Sequence, residues 1–436
     1  MHLQLPMTAQ TQTRKGEEEF LKKRRWFFLA CFCLINFCTG ALYLWSIFSI
    51  PLAERLSGIL GSPIAAADLS PVFGLAGGLT PFLMIAGGFV NDRFGPRWVI
   101  STGGALLGIG YWLAAGAESL AMLYIGYGVF VGAGTGLING CTINTSVKLF
   151  PDRRGFAGGT VTAALGVGAA VLPFAAAGLL NLAGIEASLM IFGAVSAAVI
   201  VPLGLFAKRV PEGFMIPAAT EIGRAAEGKN WAEMIRTPTF WPLALLFTTS
   251  AVMGLMMISN LSGIASSQIG LAASGAAIAV SVLSIANTAG RFVSGVVSDV
   301  LGRIPALLIA LLCALGGFLL LLNARTGDAA IFFIGIVGIG LCFGAFVGIF
   351  PGLIADEYGA RHNSVNLSIL FLGYSVGGFI GPVLVKWASG QGGYDAAYWT
   401  SIALAAAGFI FAGIYLLFRR TSGKRVSQNI IQTADA

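Results

Sequence analysis

The chain has 436 residues, 56% of them hydrophobic and only 10% charged, with a mean hydropathy of +0.84. A water-soluble domain carries about 25% charged residues, so a soluble enzyme, a disordered chain and a nucleic-acid binder are excluded first. The net charge of +7 reads as the Lys and Arg that membrane proteins keep in cytoplasmic loops, not as a nucleic-acid footprint.

In chain order, residues 1–25 form a polar segment that ends in Lys22, Lys23, Arg24 and Arg25. It shows no cleavable signal pattern, so the apolar stretch behind it is expected to stay. Crossing the hydrocarbon core takes about 20 apolar residues. Runs of that length fall at about 26–50, 69–91, 97–117, 120–146, 156–181, 185–207, 239–268, 272–298, 304–324, 329–352, 365–388 and 396–418. They predict an all-α membrane protein with twelve transmembrane helices. A polar central loop, 208–238, separates two bundles of six helices, 26–207 and 239–418, and a tail follows at 419–436.

Charge sets the orientation. With both termini cytoplasmic, the outer segments hold only Arg55, Arg325 and Lys386 of the 26 Lys and Arg, and Arg291 lies within a span. All the others fall in inner segments, as the positive-inside rule requires. The six cysteines sit inside apolar runs, so no disulfide framework is expected. Cys31 and Cys33 have no His or carboxylate beside them. No metal or cofactor is expected. The spans hold no His/Asp/Glu constellation, so an enzyme is not expected either.

The two bundles repeat each other. Gly88-Phe-Val-Asn-Asp92-Arg93-Phe-Gly95-Pro-Arg97 follows the second span, and Gly295-Val-Val-Ser-Asp299-Val-Leu-Gly302-Arg303 follows the eighth. Both read G-x-x-x-D-x-x-G. The fourth span carries Gly128, Gly132, Gly136 and Gly140, and the tenth carries Gly340, Gly344, Gly348 and Gly352. Four-residue glycine spacing lets helix backbones approach closely in lipid.

Two six-helix halves with G-x-x-x-D-R-x-G-x-R between the second and third spans resemble the major facilitator superfamily. Within it, three segments are similar to the oxalate/formate antiporter family of bacterial carboxylate carriers, itself more distantly related to monocarboxylate transporters. They are Asp92-Arg-Phe-Gly-Pro-Arg97, Phe150-Pro-Asp-Arg-Arg-Gly155 and Glu233-Met-Ile-Arg-Thr-Pro-Thr-Phe-Trp241. The resemblance runs from about Trp26 to Phe418. It implies the major facilitator fold in a bacterial inner membrane, working as a monomer, with a small organic anion and the lipid bilayer as partners. It also implies a site between the halves near the bilayer midplane, and alternating access by rocking.

Arg291 is the one Lys, Arg, Asp, Glu or His in the middle of a span. A charge there costs at least about 2.5–3.5 kcal/mol on insertion scales. Asn287 and Gly295 are its neighbours one turn away, and Asp299 is two turns off. A guanidinium offers a planar fork that matches a carboxylate in two hydrogen bonds, so the substrate is read as its counter-ion. An Arg in the eighth helix is also what the resemblance implies. The competing reading is that Arg291 reaches for the cytoplasmic interface.

Tyr43 and Trp45 of the first span, Phe343 of the tenth, and Phe371 and Tyr374 of the eleventh are candidates for the rest of the site. Membrane packing is the alternative for each aromatic. Asn139, Asn144 and Asn260 are read as helix-to-helix hydrogen bonders. The family's oxalate pattern implies a Lys in the eleventh helix where this chain has Tyr374. One cation with a tyrosine suits a monocarboxylate such as formate, lactate or pyruvate better than a dicarboxylate.

No span buries a titratable acid or His, and moving a bare buried cation is costly. Anion exchange is therefore expected, or uniport with strong trans-stimulation. The two turns, Gly88, Asp92, Arg93, Gly95 and Arg97 with Gly295, Asp299, Gly302 and Arg303, are read as gating parts. Asp92 is expected to meet Arg93, Arg97 and the N-terminus of a neighbouring helix. The rival readings are an oxalate/formate exchanger and a drug-efflux member of the same superfamily, which a missing buried acid disfavours.

Overall fold

The computed structural model describes residues 7–64, 66–211, 213–214, 228–389 and 394–434. The N-terminal segment, the central loop and the tail therefore lie partly outside the described residues, as does the side chain of Lys386.

In lipid every backbone polar group must bond internally, and the described chain meets that demand with helices. They are α1 (Met7–Thr39), α2 (Trp45–Leu60), α3 (Ser70–Phe94), α4 (Pro96–Ala115), α5 (Leu120–Leu123) and α6 (Gly132–Leu149). Then come α7 (Arg154–Phe206), α8 (Trp231–Ile235), α9 (Phe240–Ser267), α10 (Ala273–Leu301) and α11 (Arg303–Asn323). The series closes with α12 (Ala329–Tyr358), α13 (Asn363–Leu370), α14 (Leu372–Ser389) and α15 (Asp395–Ala434).

Among the described residues, eleven helical stretches are long and apolar enough to cross a membrane, against the twelve expected. The difference lies in α7, a run of 53 residues that breaks only at Gly184, where φ is 76°. The fifth and sixth spans join there without a polar loop, so one glycine in the left-handed region makes the whole turn. Each limb exceeds the roughly 20 residues that a crossing needs.

Three predicted spans have internal breaks. The first passes through a 3₁₀ turn at Gly40–Leu44 and runs on to Leu60. The fourth contains a π-helical stretch, Tyr124–Val131. The eleventh is interrupted at Phe371, between α13 and α14. At the other end of the first span, the polar N-terminal segment is helical from Met7. In the central loop α8 is held by a capping box: Asn230 Oδ1 accepts from the Glu233 N–H at 3.0 Å, and the Asn230 N–H donates to Glu233 Oε2 at 2.8 Å.

The chain divides into two compact units. One comprises residues 1–228 with 351–369, the other 229–350 with 370–436. In the first, α3 packs on α6 and α4 packs on α7. Gly132 and Gly136 of α6 face the backbone of α3 at Ala76 and Thr80, so close that a Cβ at either position would collide. In the second, α9 carries α10, α14 and α15. There Gly340, Gly344 and Gly348 of α12 meet α10 at Leu283, Asn287 and Arg291. The repeated glycine runs therefore do the same packing work, each inside its own unit.

Candidate substrate site and gating turns

Arg291 stands on α10, half-buried. Its Nε–H donates to Asn287 Oδ1, one turn earlier, at 2.9 Å, and Asn287 is itself buried. The charge is thus not alone on its helix. A neutral amide takes one of its N–H groups and sets the plane of the guanidinium without cancelling its charge. The backbone of this turn is seated against α12. A Cβ on Gly344 would clash with the Asn287 carbonyl and lie 2.9 Å from Arg291 N, and one on Gly348 would clash with the Arg291 carbonyl. A main chain gripped this closely gives the side chain a fixed base.

Phe343, Phe371 and Tyr374 belong to the same unit as Arg291. Phe343 is buried and stacks on Tyr374, with centroids 6.0 Å apart. Phe371, at the break between α13 and α14, tilts on Phe247 at 5.1 Å. Gly373, Gly377 and Gly381 of α14 lie against Thr248, Ala251 and Met256 of α9. This third four-residue glycine ladder was visible in the sequence but was not singled out there.

Tyr43 and Trp45 lie in the other unit and part company. Tyr43 is 37% exposed and meets Phe73 edge-on at 6.3 Å. Trp45 is buried against Tyr127 at 4.6 Å, whose hydroxyl donates to the Leu42 carbonyl at 2.8 Å. Trp45 is therefore part of the packing that braces the 3₁₀ turn.

The buried amides also divide. Asn139 accepts from the Thr39 hydroxyl at 3.3 Å, and Asn144 donates to Ser364 Oγ. Both link different helices, as expected. Asn260 instead donates to the Met256 carbonyl of its own helix at 3.1 Å.

The Asp92 turn is wired differently from the expectation. Asp92 Oδ1 pairs with Lys148 Nζ at 2.8 Å, with side-chain exposures of 7% and 17%. Its Oδ2 accepts from the Val365 N–H, in the first turn of α13, at 3.4 Å. The helix N-terminus is as expected, but the cation is Lys148 rather than Arg93 or Arg97. Those two lie over the rings of Phe94 and Trp98, at 5.3 and 5.1 Å. Asn91 donates to Ser364 Oγ at 2.8 Å, and a Cβ on Gly88 would stand 3.0 Å from the Ser364–Val365 backbone. Nearby, Asp152 pairs with Arg25 at 2.6 Å, and Arg154 with Asp356 at 2.7 Å.

In the second unit Asp299 pairs with Arg303 across its own turn at 2.5 Å, while Arg303 also donates to Ser298 Oγ at 2.7 Å. The repeated glycines have one cause. Gly95 and Gly302 take φ of 88° and 93°, so each stops one helix and lets the next begin at the following residue. Gly295 is buried one turn ahead of Asp299. Lys148, Asn91 and Ser364 were missed as functional candidates. The available signal was a lone Lys in the last turn of an otherwise uncharged helix.

Apolar helices of spanning length, duplicated glycine-stopped turns and a fixed arginine within a span define a multi-pass membrane transporter. The family profile described as Major Facilitator Superfamily matches residues 31–365 and 252–432, and the chain belongs to that superfamily. It is 32% identical over 357 residues to an uncharacterized MFS-type transporter, YhjX, of Escherichia coli (strain K12), covering 82% of this chain and 86% of that one. It is 30% identical over 398 residues to an oxalate:formate antiporter of Oxalobacter formigenes, covering 88% and 89%. Its fold is shared with the proton:xylose symporter XylE, with a TM-score of 0.69 at 15% identity, covering 90% of this chain and 96% of that one.

Proposed function

We propose that this chain moves small organic carboxylates, monocarboxylates such as formate, lactate or pyruvate, across a bacterial inner membrane by alternating access and anion exchange. Both termini face the cytoplasm. The observation that carries this reading is Arg291, a permanent cation inside an apolar span, aimed by the neutral Asn287 at 2.9 Å and seated on the glycines of α12. A planar fork held this way suits a carboxylate's two oxygens. Similarity to an oxalate:formate antiporter supports the substrate class. Tyr374, stacked on Phe343, supplies a hydroxyl to the substrate, and with Phe371 it shapes the site. The sequence places no second Lys or Arg in mid-span, which supports a single negative charge.

Exchange follows from the cost of moving an empty cationic site through a closed state, because a bound anion removes most of that desolvation. The Asp92 contacts with Lys148 and the first turn of α13 hold the cytoplasmic side closed and break on switching. Asp299 and Arg303 keep the matching turn of the second unit in shape.

The test is counterflow in proteoliposomes preloaded with one unlabelled acid, following entry of the labelled form. The expected result is monocarboxylate uptake that requires internal anion and is lost in Arg291→Gln. Preference for oxalate over every monocarboxylate would refute the single-charge reading. No carboxylate counterflow at all would refute the substrate class.

A further inference from the structure

The turn between α3 and α4 and the end of α7 line a half-open cavity of about 360 Å³. Its lining brings together Arg97, Lys208 and Arg209 with the rings of Phe94, Trp98 and Phe206, and no lining residue is acidic. All of these residues lie in the first unit. The cavity sits where three spans end, on the side that the Lys and Arg distribution assigns to the cytoplasm.

Each cation is held in place. Arg209 comes close to the turn because Gly95 has no side chain: a Cβ there would stand 2.9 Å from Arg209 Cβ. Its guanidinium donates to the Asp92 carbonyl at 3.5 Å. Lys208 Nζ lies 5.5 Å from the Phe20 ring centroid, and the Arg97 guanidinium 5.1 Å from that of Trp98. Contacts with ring faces fix a cation without neutralising it. Phe94, Trp98 and Phe206 are 61%, 58% and 69% exposed. Large rings left exposed at the ends of spans sit at headgroup level, with an apolar body toward the chains and an edge toward water.

We propose that this cavity binds the headgroup of an anionic phospholipid of the inner leaflet. Arg97, Lys208 and Arg209 take the phosphodiester oxygens, and the three rings pack on the glycerol and upper acyl carbons. A zwitterionic headgroup brings its own cation into a cavity with three, so it is disfavoured. Basic clusters at cytoplasmic helix ends attract net-negative lipids for the same reason. The repeated turn motif thus has a second use: Gly95 and Arg97 build a lipid seat beside the Asp92 contacts. The second turn has Ile304 at the position that Arg97 takes in the first.

Trp98 is the reporter. Full-length protein is reconstituted with phosphatidylglycerol or phosphatidylcholine brominated on the acyl chains, at equal mole fraction. The Trp98 contribution is taken as the difference from Trp98→Phe. The expected result is at least about two-fold stronger Trp98 quenching by the brominated anionic lipid, falling to equality in the Lys208→Gln/Arg209→Gln double variant. Equal quenching by the two lipids in the wild type overturns the proposal, and this comparison does not depend on the double variant folding. A preference that survives the double variant overturns it as well. So does loss of the preference on adding excess inorganic phosphate, which would make the site one for a free anion.

Discussion

Replacing Asp92 by Asn keeps the shape of the side chain and removes its charge. At 2.8 Å the Asp92–Lys148 attraction is about 6 kcal/mol gross at an effective dielectric constant of about 20. Desolvation of the two groups offsets most of that, so the pair itself contributes little net stability. The lone Lys148 is the costly species. Breaking a fully buried pair costs about 3–5 kcal/mol. Here Lys148 keeps its bond to the Arg361 carbonyl at 3.1 Å and is still 17% exposed. About 2–3 kcal/mol is therefore expected. At about 2–4 °C per kcal/mol for a unit of this size, the unfolding midpoint should fall by roughly 4–12 °C. The assay is thermal unfolding of the purified protein, read by a thiol-reactive dye as the buried cysteines become exposed, Cys141 on the same helix as Lys148 among them. The Asp92→Asn/Lys148→Met double variant, with neither charge, should recover more than half of the loss. An Asp92→Asn midpoint equal to the wild type, or a double variant no better than the single one, would refute the reasoning.

Other expectations concern the helices of the second unit. Arg291→Lys keeps the charge but loses the planar fork, so the KM for a monocarboxylate should rise about tenfold, or 1.4 kcal/mol, with exchange retained. Asn287→Ala should raise KM with little change in maximal rate. Asn287→Asp, which keeps the acceptor but sets a negative charge beside Arg291, should be the worse of the two in the same uptake assay. Gly344→Ala forces a methyl onto the Asn287 carbonyl and Arg291 N and should cost about 1–3 kcal/mol by overpacking. Gly316→Ala, where a Cβ meets nothing within 4 Å, should be neutral or gain up to about 1 kcal/mol from helix propensity; paired melting curves separate the two. Tyr374→Phe should keep the stack on Phe343 and raise KM without lowering the midpoint.

What the sequence by itself determined is what depends on one-dimensional pattern. Apolar run length sets the number of crossings, because a bilayer has one thickness. Lys and Arg counts give an orientation only as an expectation, through the positive-inside rule. The paired G-x-x-x-D-x-x-G turns and glycine runs exposed the duplication, because Gly95 and Gly302 must take positive φ and Gly136 and Gly344 must meet a neighbouring backbone. Arg291 stood out because charge in lipid is rare.

Partnership was decided only by the tertiary structure. Asp92 chose Lys148, 56 residues on, over Arg93 beside it in sequence, because adjacent residues on a helix point in different directions. Trp45 went into the core and Tyr43 did not, since Tyr43 lies within the 3₁₀ turn and Trp45 opens the helix after it, although the two look equivalent in an apolar run. Asn287 became the partner of Arg291 through rotamer and packing, and Asn260 turned back on its own helix. The cavity beneath Trp98 needs residues 94–98 and 205–209 side by side. Only the packing of α4 on α7 brings those two segments together.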